Sequence, residues 1–322
     1  MIDRLAHHRI LVVGDVSLDE YLFGRATRLS REAAVPVLEW LRRDLILGGA
    51  ANPSRNIVAL GGHATQLSII GDDAEGTQIQ TLCEREHIDA SGLIALPQRP
   101  TTVKTRILAD QTPRLPQHLA RLDRLDRTPL SDSQEQPVID TLQRLIPHVD
   151  AVLCSDYQLG MLTPSLVATI RQLCREHRVL LTVDAQGNSH YYRGVDLFRC
   201  NDLEAAAALG RPLRTPDAFQ QGLRELQQQL EAHIVMVTRG PDGCSLIGQN
   251  VPYMHLEAFH ISEVYDTTGA GDTFIAVATL ALVAGFTPLD AARFANVAAA
   301  LVVRRLGNSV VTPEELLEAL KR

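Results

Sequence analysis

The sequence predicts an α/β fold in which a mainly parallel sheet is flanked by helices and accompanied by a small, separate β-sheet. Three observations predict it. Short apolar runs recur with helical stretches between them, at 9–15, 64–70, 151–157, 179–184, 195–200 and 233–238, and such alternation implies right-handed crossovers between parallel strands. Several of these runs end in a polar or glycine turn, as buried parallel strands do where a sheet opens into a site. Between the first run and the next helix the texture changes to alternating, β-forming residues, which read as strands of a second sheet. With 322 residues, 45% hydrophobic and 21% charged, the chain can bury a core of that size.

Composition narrows the function. The formal net charge is −7 with no block of basic residues, which argues against nucleic acid or an anionic membrane as partner. The five cysteines, Cys83, Cys154, Cys174, Cys200 and Cys244, lie far apart without a CxxC pair. Neither a zinc site nor a disulfide framework is expected, and the thiols suit a reducing cytosol. Residues 1–8 lack the apolar stretch of a leader, and no segment approaches the ~20 apolar residues of a membrane span, so a cytoplasmic location is expected. The absence of GxxxxGK[ST], GxSxG and HExxH motifs disfavours P-loop, serine-hydrolase and zincin chemistry.

In chain order, the run 9–15 ends in Gly14 and Asp15, so Asp15 stands at a strand's carboxyl edge, as a turn residue or a ligand-binding one. Residues 18–43 carry the alternating strands, with Pro36 marking an edge. Gly48 and Gly49 let a ligand approach the backbone, and Asn52 reads as a helix N-cap with Pro53 in the first helical position. Strand, helix and strand follow at 64–70, 72–87 and 93–96. A further strand pair is expected at 101–108 and 119–123, joined through Pro113 and Pro116. Lys104 and Arg106 fall on one face of the first, as solvated charges or as anion-binding ones.

A helix within 132–146 is expected to start near Pro137, and another spans 163–177 with Pro164 just inside its start. Asn201 and Glu204, opening an alanine-rich helix, share one face of its first turn. They can form a capping box, or order the water shell of Mg²⁺. The strand 233–238 leads into a turn with Thr238, Gly240 and Gly243 and then a hairpin. A helix over 291–305, holding Asn296, and one opened by Thr312 and Pro313 close the chain.

The most informative stretch is 266–283. Gly269 and Gly271 flank Ala270 and let the backbone turn sharply, and residues 274–283 contain no glycine or proline and are apolar on every face, the pattern of a buried helix. The start of that helix offers unpaired N–H donors and the positive end of a dipole to a phosphoryl group losing its bridging oxygen. Asp272, at the same end, could accept the proton of an alcohol, and phosphoryl transfer from ATP needs both parts. As plain structure, Asp272 or Thr273 would be a helix cap and the glycines a turn.

The run Asp266, Thr267, Gly269, Ala270, Gly271, Asp272 resembles the DTxGAGD signature of ribokinase-like, pfkB-type sugar kinases. Gly48, Gly49 and Asn52 resemble that family's first signature, Asn201 and Glu204 its Asn-x-x-Glu motif, and residues 25–37 the region linking the lid strands in bacterial heptose 7-phosphate kinases. The likeness runs over 9–320. It implies a ribokinase-like fold in one kinase domain over 1–322, with the small sheet serving as a lid built from about 18–45 and 98–125.

The resemblance further implies Asp272 as general base and the amides of Gly269, Ala270 and Gly271 as the anion hole. It assigns Asp15, Gly48, Gly49 and Asn52 to the sugar, with Lys104 and Arg106 toward its phosphate. Thr238, Gly240 and Gly243 would meet the nucleotide's phosphate or ribose and Asn296 its adenine, with ATP as donor and Mg²⁺ held through water by Glu204. The nearest subgroup phosphorylates the anomeric oxygen of D-glycero-β-D-manno-heptose 7-phosphate. Ribose, fructose, other sugar phosphates and nucleosides are the runner-up acceptors, and a catalytically weak sugar or nucleotide sensor is the reading from a different class. Heptose kinases commonly carry lysines where this chain has Leu159 and Ala185. No HxGH segment of a nucleotidyl-transferring domain follows, so a stand-alone kinase is expected. The lid's exposed edges could be covered by a second subunit in a homodimer.

Overall fold

The computed structural model describes residues 2–110, 116–259, 266–305 and 307–321, so Pro113 of the expected strand connection lies outside the described residues. The first half of the chain forms β1 (Arg9–Gly14), β2 (Val16–Leu29), β3 (Pro36–Gly49), α1 (Ala51–Ala59), β4 (His63–Gly71), α2 (Ala74–Arg85), β5 (Asp89–Leu96), β6 (Val103–Ala109), β7 (Gln117–Arg124) and α3 (Asp132–Leu145). The second half forms β8 (Ala151–Asp156), α4 (Pro164–His177), β9 (Leu180–Ala185), β10 (Leu197–Asn201), α5 (Asp202–Ala208), α6 (Pro216–Leu230), β11 (Ile234–Thr238), β12 (Cys244–Gly248), β13 (Val251–Leu256), α7 (Ala270–Val283), α8 (Pro288–Val302) and α9 (Pro313–Leu320).

The larger sheet has the order β13-β12-β11-β10-β9-β8-β1-β4-β5, and the smaller one the order β3-β2-β6-β7. Every neighbouring pair from β11 to β5 is parallel, while β12 and β13 join antiparallel at one edge. The small sheet is reached by two excursions, one between β1 and α1 and one between β5 and α3. Pro36 opens β3, an edge strand, where its missing N–H costs no ladder bond.

Alternation along the central strands sends side chains to both faces. Ile10 and Val12 of β1 pack in the apolar layer with α7, α8 and α1, whereas Leu11 and Val13 pack in the layer with α3, α4 and α6. The expected all-round apolar helix is α7, whose residues from Asp272 to Ala281 are all buried.

Three local expectations need correcting. Helix α3 starts at Asp132 under a capping box from Ser131 and Gln134 and carries Pro137 inside it, so the cap, not the proline, sets its start. Asn52 is not an N-cap and Pro53 is not the first helical residue: α1 begins at Ala51, two residues earlier than expected, with Ala50 in the cap position and Pro53 third in the helix. The buried Asn52 amide instead reaches a carboxylate far along the chain, a charge-assisted bond that outcompetes a local cap. Pro53 sits in the first helical turn, where its N–H would have no partner. Helix α6 and strand β13 were not assigned from sequence, although Thr215 and Pro216 carry the start signal of α6.

Candidate active site

The carboxyl ends of β1, β8, β9, β10 and β11 and the start of α7 meet at one edge of the large sheet, where open parallel sheets bind ligands. Gly269, with φ +79°, occupies the N-cap of α7 without any side-chain cap, so neither Asp272 nor Thr273 is the capping residue. Asp272 lies in the first turn and is 7% exposed. One of its carboxylate oxygens accepts the Tyr157 hydroxyl at 2.6 Å and the other the Asn52 side-chain amide at 2.8 Å. Thr273 is tied to Asn56 at 3.0 Å, and Asn56 to the backbone of Asn52, which locks α7 against α1. Burial, and then repulsion from Asp184, push the Asp272 pKa up to about 6, against the pull of Tyr157, Asn52 and Arg199.

On one side of Asp272 lie residues of the small sheet. Asp19, on β2, is buried and accepts from Arg106 at 2.9 Å, Ser17 at 3.0 Å and Asn308 at 3.1 Å. Lys104 pairs in register with Asp19 and sets its ammonium 4.8 Å above the Tyr157 ring. Burial draws the Lys104 pKa down, while Asp19 and Asp272 act the other way. Gly48 is bare because a side chain there would run into the Asp19 carboxylate and the Ser17 hydroxyl. Gly49, at φ +58°, would run into the Asp15 carbonyl.

Asp15 does not join this group. Its carboxylate accepts the backbone N–H groups of Tyr157 at 3.2 Å, Leu159 at 3.0 Å and Met161 at 3.3 Å, fastening the loop after β8. Burial raises its pKa to about 6 in spite of these bonds. Asp19, four residues on, was not singled out from sequence, because it reads locally as one more polar residue of an alternating strand.

On the other side of Asp272 opens a cavity of about 600 Å³ lined by Thr238, Gly240, Gly243, Ala270, Gly271 and Asn296. Asn296 also donates to the Glu257 carbonyl at 2.8 Å. Four of the positions expected to take a nucleotide thus line one cavity with the glycine turn. Asn201, in register with Thr238 of that cavity's wall, forms a reciprocal capping box with Glu204, the Glu204 N–H donating to Asn201 at 2.8 Å and the Asn201 N–H to Glu204 at 2.7 Å, while Glu204 itself lines a separate recess of about 410 Å³ with Ala185 and Gln186. Burial, and then the Asp184 carboxylate, raise the Glu204 pKa against the pull of the Asn201 N–H. Among the described residues no cluster of three or more metal-ligating side chains occurs. Arg199 already offsets part of the repulsion between Asp184 and Glu204, so a hydrated Mg²⁺, which keeps its waters and takes few protein ligands, would be met by Glu204 through water only. A larger recess, about 880 Å³, lies at the opposite edge among His8, Asp150, Arg175 and His233 and contains none of these residues.

The model of the pfkB family carbohydrate kinases matches residues 8–315. The chain belongs to the pfkB family of carbohydrate kinases. It is 38% identical over 321 residues to the bifunctional protein HldE of Trichlorobacter lovleyi, covering 99% of this chain but 64% of that protein. The chain therefore spans less than two thirds of that relative. Its fold is similar to Arabidopsis thaliana ribokinase complexed with ribose and ATP, with a TM-score of 0.78 at 21% identity over 98% of this chain and 99% of the other. It is equally similar to Escherichia coli phosphofructokinase-2 in complex with potassium, with a TM-score of 0.78 at 18% identity over 98% and 100%. The fold of this pfkB kinase is ribokinase-like, and no helix among the described residues is long and apolar enough to cross a membrane.

Proposed function

We propose that this pfkB kinase transfers the γ-phosphoryl group of ATP to a sugar hydroxyl, and that the acceptor is D-glycero-β-D-manno-heptose 7-phosphate, attacking through its anomeric oxygen. The reading rests on the buried Asp272 carboxylate at the start of α7, between the nucleotide-sized cavity and the cluster of Asp19, Lys104 and Arg106. Above its pKa of about 6, Asp272 is ionised and takes the proton of the attacking hydroxyl as that oxygen bonds to phosphorus and the bond to ADP breaks. The N–H groups of Gly269 and Gly271, with that of Ala270, which also donates to the Thr267 carbonyl at 3.3 Å, meet the charge on the phosphoryl oxygens.

Thr238, Gly240, Gly243 and Asn296 take the nucleotide in this reading, and Gly48, Gly49, Asn52 and Asp19 shape the acceptor side, with Asp15 holding the loop beneath it. Mg²⁺, held through water near Glu204 and Asn201, would neutralise phosphate charge. The small sheet acts as a lid that excludes water within one kinase unit. Its Trp40 and Leu122, 64% and 68% exposed, suit a second subunit, and the location is the cytoplasm. The resemblance of residues 25–37 to heptose 7-phosphate kinases supports the heptose acceptor. ADP release measured against a panel of heptose 7-phosphate, ribose, fructose, fructose 6-phosphate and adenosine tests it. Release with an unphosphorylated sugar alone overturns the heptose phosphate and keeps the kinase, whereas release with none supports a sensor.

Two variants refine the site. Arg106 is already neutralised by Asp19, whereas Lys104 forms no ion pair among the described residues, so Lys104 is the cation open to an acceptor phosphate. Lys104→Ala is expected to raise KM for heptose 7-phosphate about 10-fold or more, the scale of a charge-assisted bond, with little change for an unphosphorylated sugar. Arg106→Ala releases Asp19 and should weaken both acceptors; an equal effect of the two variants on both sugars would remove Lys104 from the phosphate. Glu204→Gln keeps a side chain able to cap Asn201 but removes the charge near the metal water shell. The Mg²⁺ concentration for half-maximal rate should then rise, and a change in melting temperature alone would leave Glu204 as a cap only.

A further inference from the structure

We propose that Arg199 is the phosphate-binding cation of the nucleotide cavity, holding the β- and γ-phosphoryl oxygens of the donor against the glycine turn, with Asp184 and Thr238 fixing its guanidinium in place. This deepens the nucleotide reading above and rests on it. Arg199 lies on β10, between β9 and β11, and is 8% exposed. A charge placed within a central strand is costly unless something else is gained, and a buried ion pair is by itself weak support for a fold.

One guanidinium nitrogen of Arg199 donates to both Asp184 oxygens, at 2.9 and 3.0 Å, and the other to the Thr238 hydroxyl at 2.6 Å. Its Nε has no partner among the described residues. The remaining described residues that line the cavity of about 600 Å³ are all uncharged, so Arg199 is its single charged wall. The guanidinium also presses on the start of α7: a Cβ at Gly271 would lie 2.6 Å from one of its nitrogens and 2.9 Å from the other. A helix N-terminus carries partial positive charge and disfavours a cation beside it. Two positive groups thus face one cavity, and of the nearby carboxylates only Asp184 bonds the guanidinium, Asp272 being held by Tyr157 and Asn52, so the site is one that an anion stabilises. Of the two strands beside β10, β9 ends in Ala185, and the arginine after β11, Arg239, is turned to Ser245 and His255 and stacked on the Phe219 ring. Sequence alone could not single out Arg199, since a lone arginine in an apolar run carries no motif.

The test is calorimetric binding of ATP, ADP, AMP and adenosine to the wild type, Arg199→Met, Arg199→Lys and the double variant Asp184→Asn/Arg199→Met. The double variant removes both members of the buried pair and keeps the comparison available if the single one does not fold. ATP and ADP affinities should fall about 10-fold or more in the methionine variants, with AMP and adenosine within about 2-fold and partial recovery in Arg199→Lys. Equal weakening of all four ligands, or unchanged ATP and ADP binding by folded variants, overturns the assignment. A wild type that binds none of the four overturns the nucleotide reading itself, and this inference with it.

Discussion

Asp272→Asn is expected to lower kcat by about 10²-fold or more while leaving ATP binding close to that of the parent. The substitution preserves size and removes the only property the transfer step asks of this side chain, the ability to take a proton. The structure adds a second signature. Burial and the Asp184 charge raise the Asp272 pKa to about 6. Below that value the carboxyl holds its own proton and cannot accept another; above it the base is available. The wild-type rate should therefore climb with pH through about 6 and level off above it, and the Asn variant should lack that limb. Near-normal turnover in Asp272→Asn, or an acid limb that survives the substitution, would move the base to another residue.

Gly271→Ala should damage turnover and stability together. A Cβ there would meet the Arg199 guanidinium at 2.6, 2.9 and 3.0 Å, and that group is buried against Asp184 and Thr238. Accommodating the methyl means moving either the start of α7, which carries the amides of the anion hole, or a charge out of its buried pair. Opening a buried pair costs on the order of 3 kcal/mol, and a fall in melting temperature of several degrees is expected together with a fall in kcat. Gly210→Asn provides the control: that glycine has φ +66° with nothing within 4 Å of its Cβ position, and asparagine tolerates the left-handed backbone. An alanine at 271 that leaves both melting temperature and kcat unchanged would show that the guanidinium is loosely held.

The chain's local patterns carried the architecture. Apolar runs closed by Gly14, Asp156 and Asn201 marked parallel strands, Thr163 with Pro164 and Thr312 with Pro313 marked helix starts, and the glycine turn before 274–283 marked the helix that faces the chemistry. These features are readable because they depend on neighbours within a turn or two of chain.

Tertiary structure decided the partners. Asn52 and Tyr157 hold the two oxygens of Asp272 across separations of 220 and 115 residues, and local reading had placed Asn52 as a cap. The Asp19 carboxylate, not that of Asp15, meets Arg106, because the parallel register of β2 on β6 sets Asp19 beside Lys104 and Tyr21 beside Arg106. Arg199 reaches Asp184 only because β9 and β10 are neighbours in a sheet whose order no periodicity announces. Periodicity tells which face of a strand is buried, but a polar side chain's partner is set by which strand end lies next to it, and that is fixed only once the crossovers have packed.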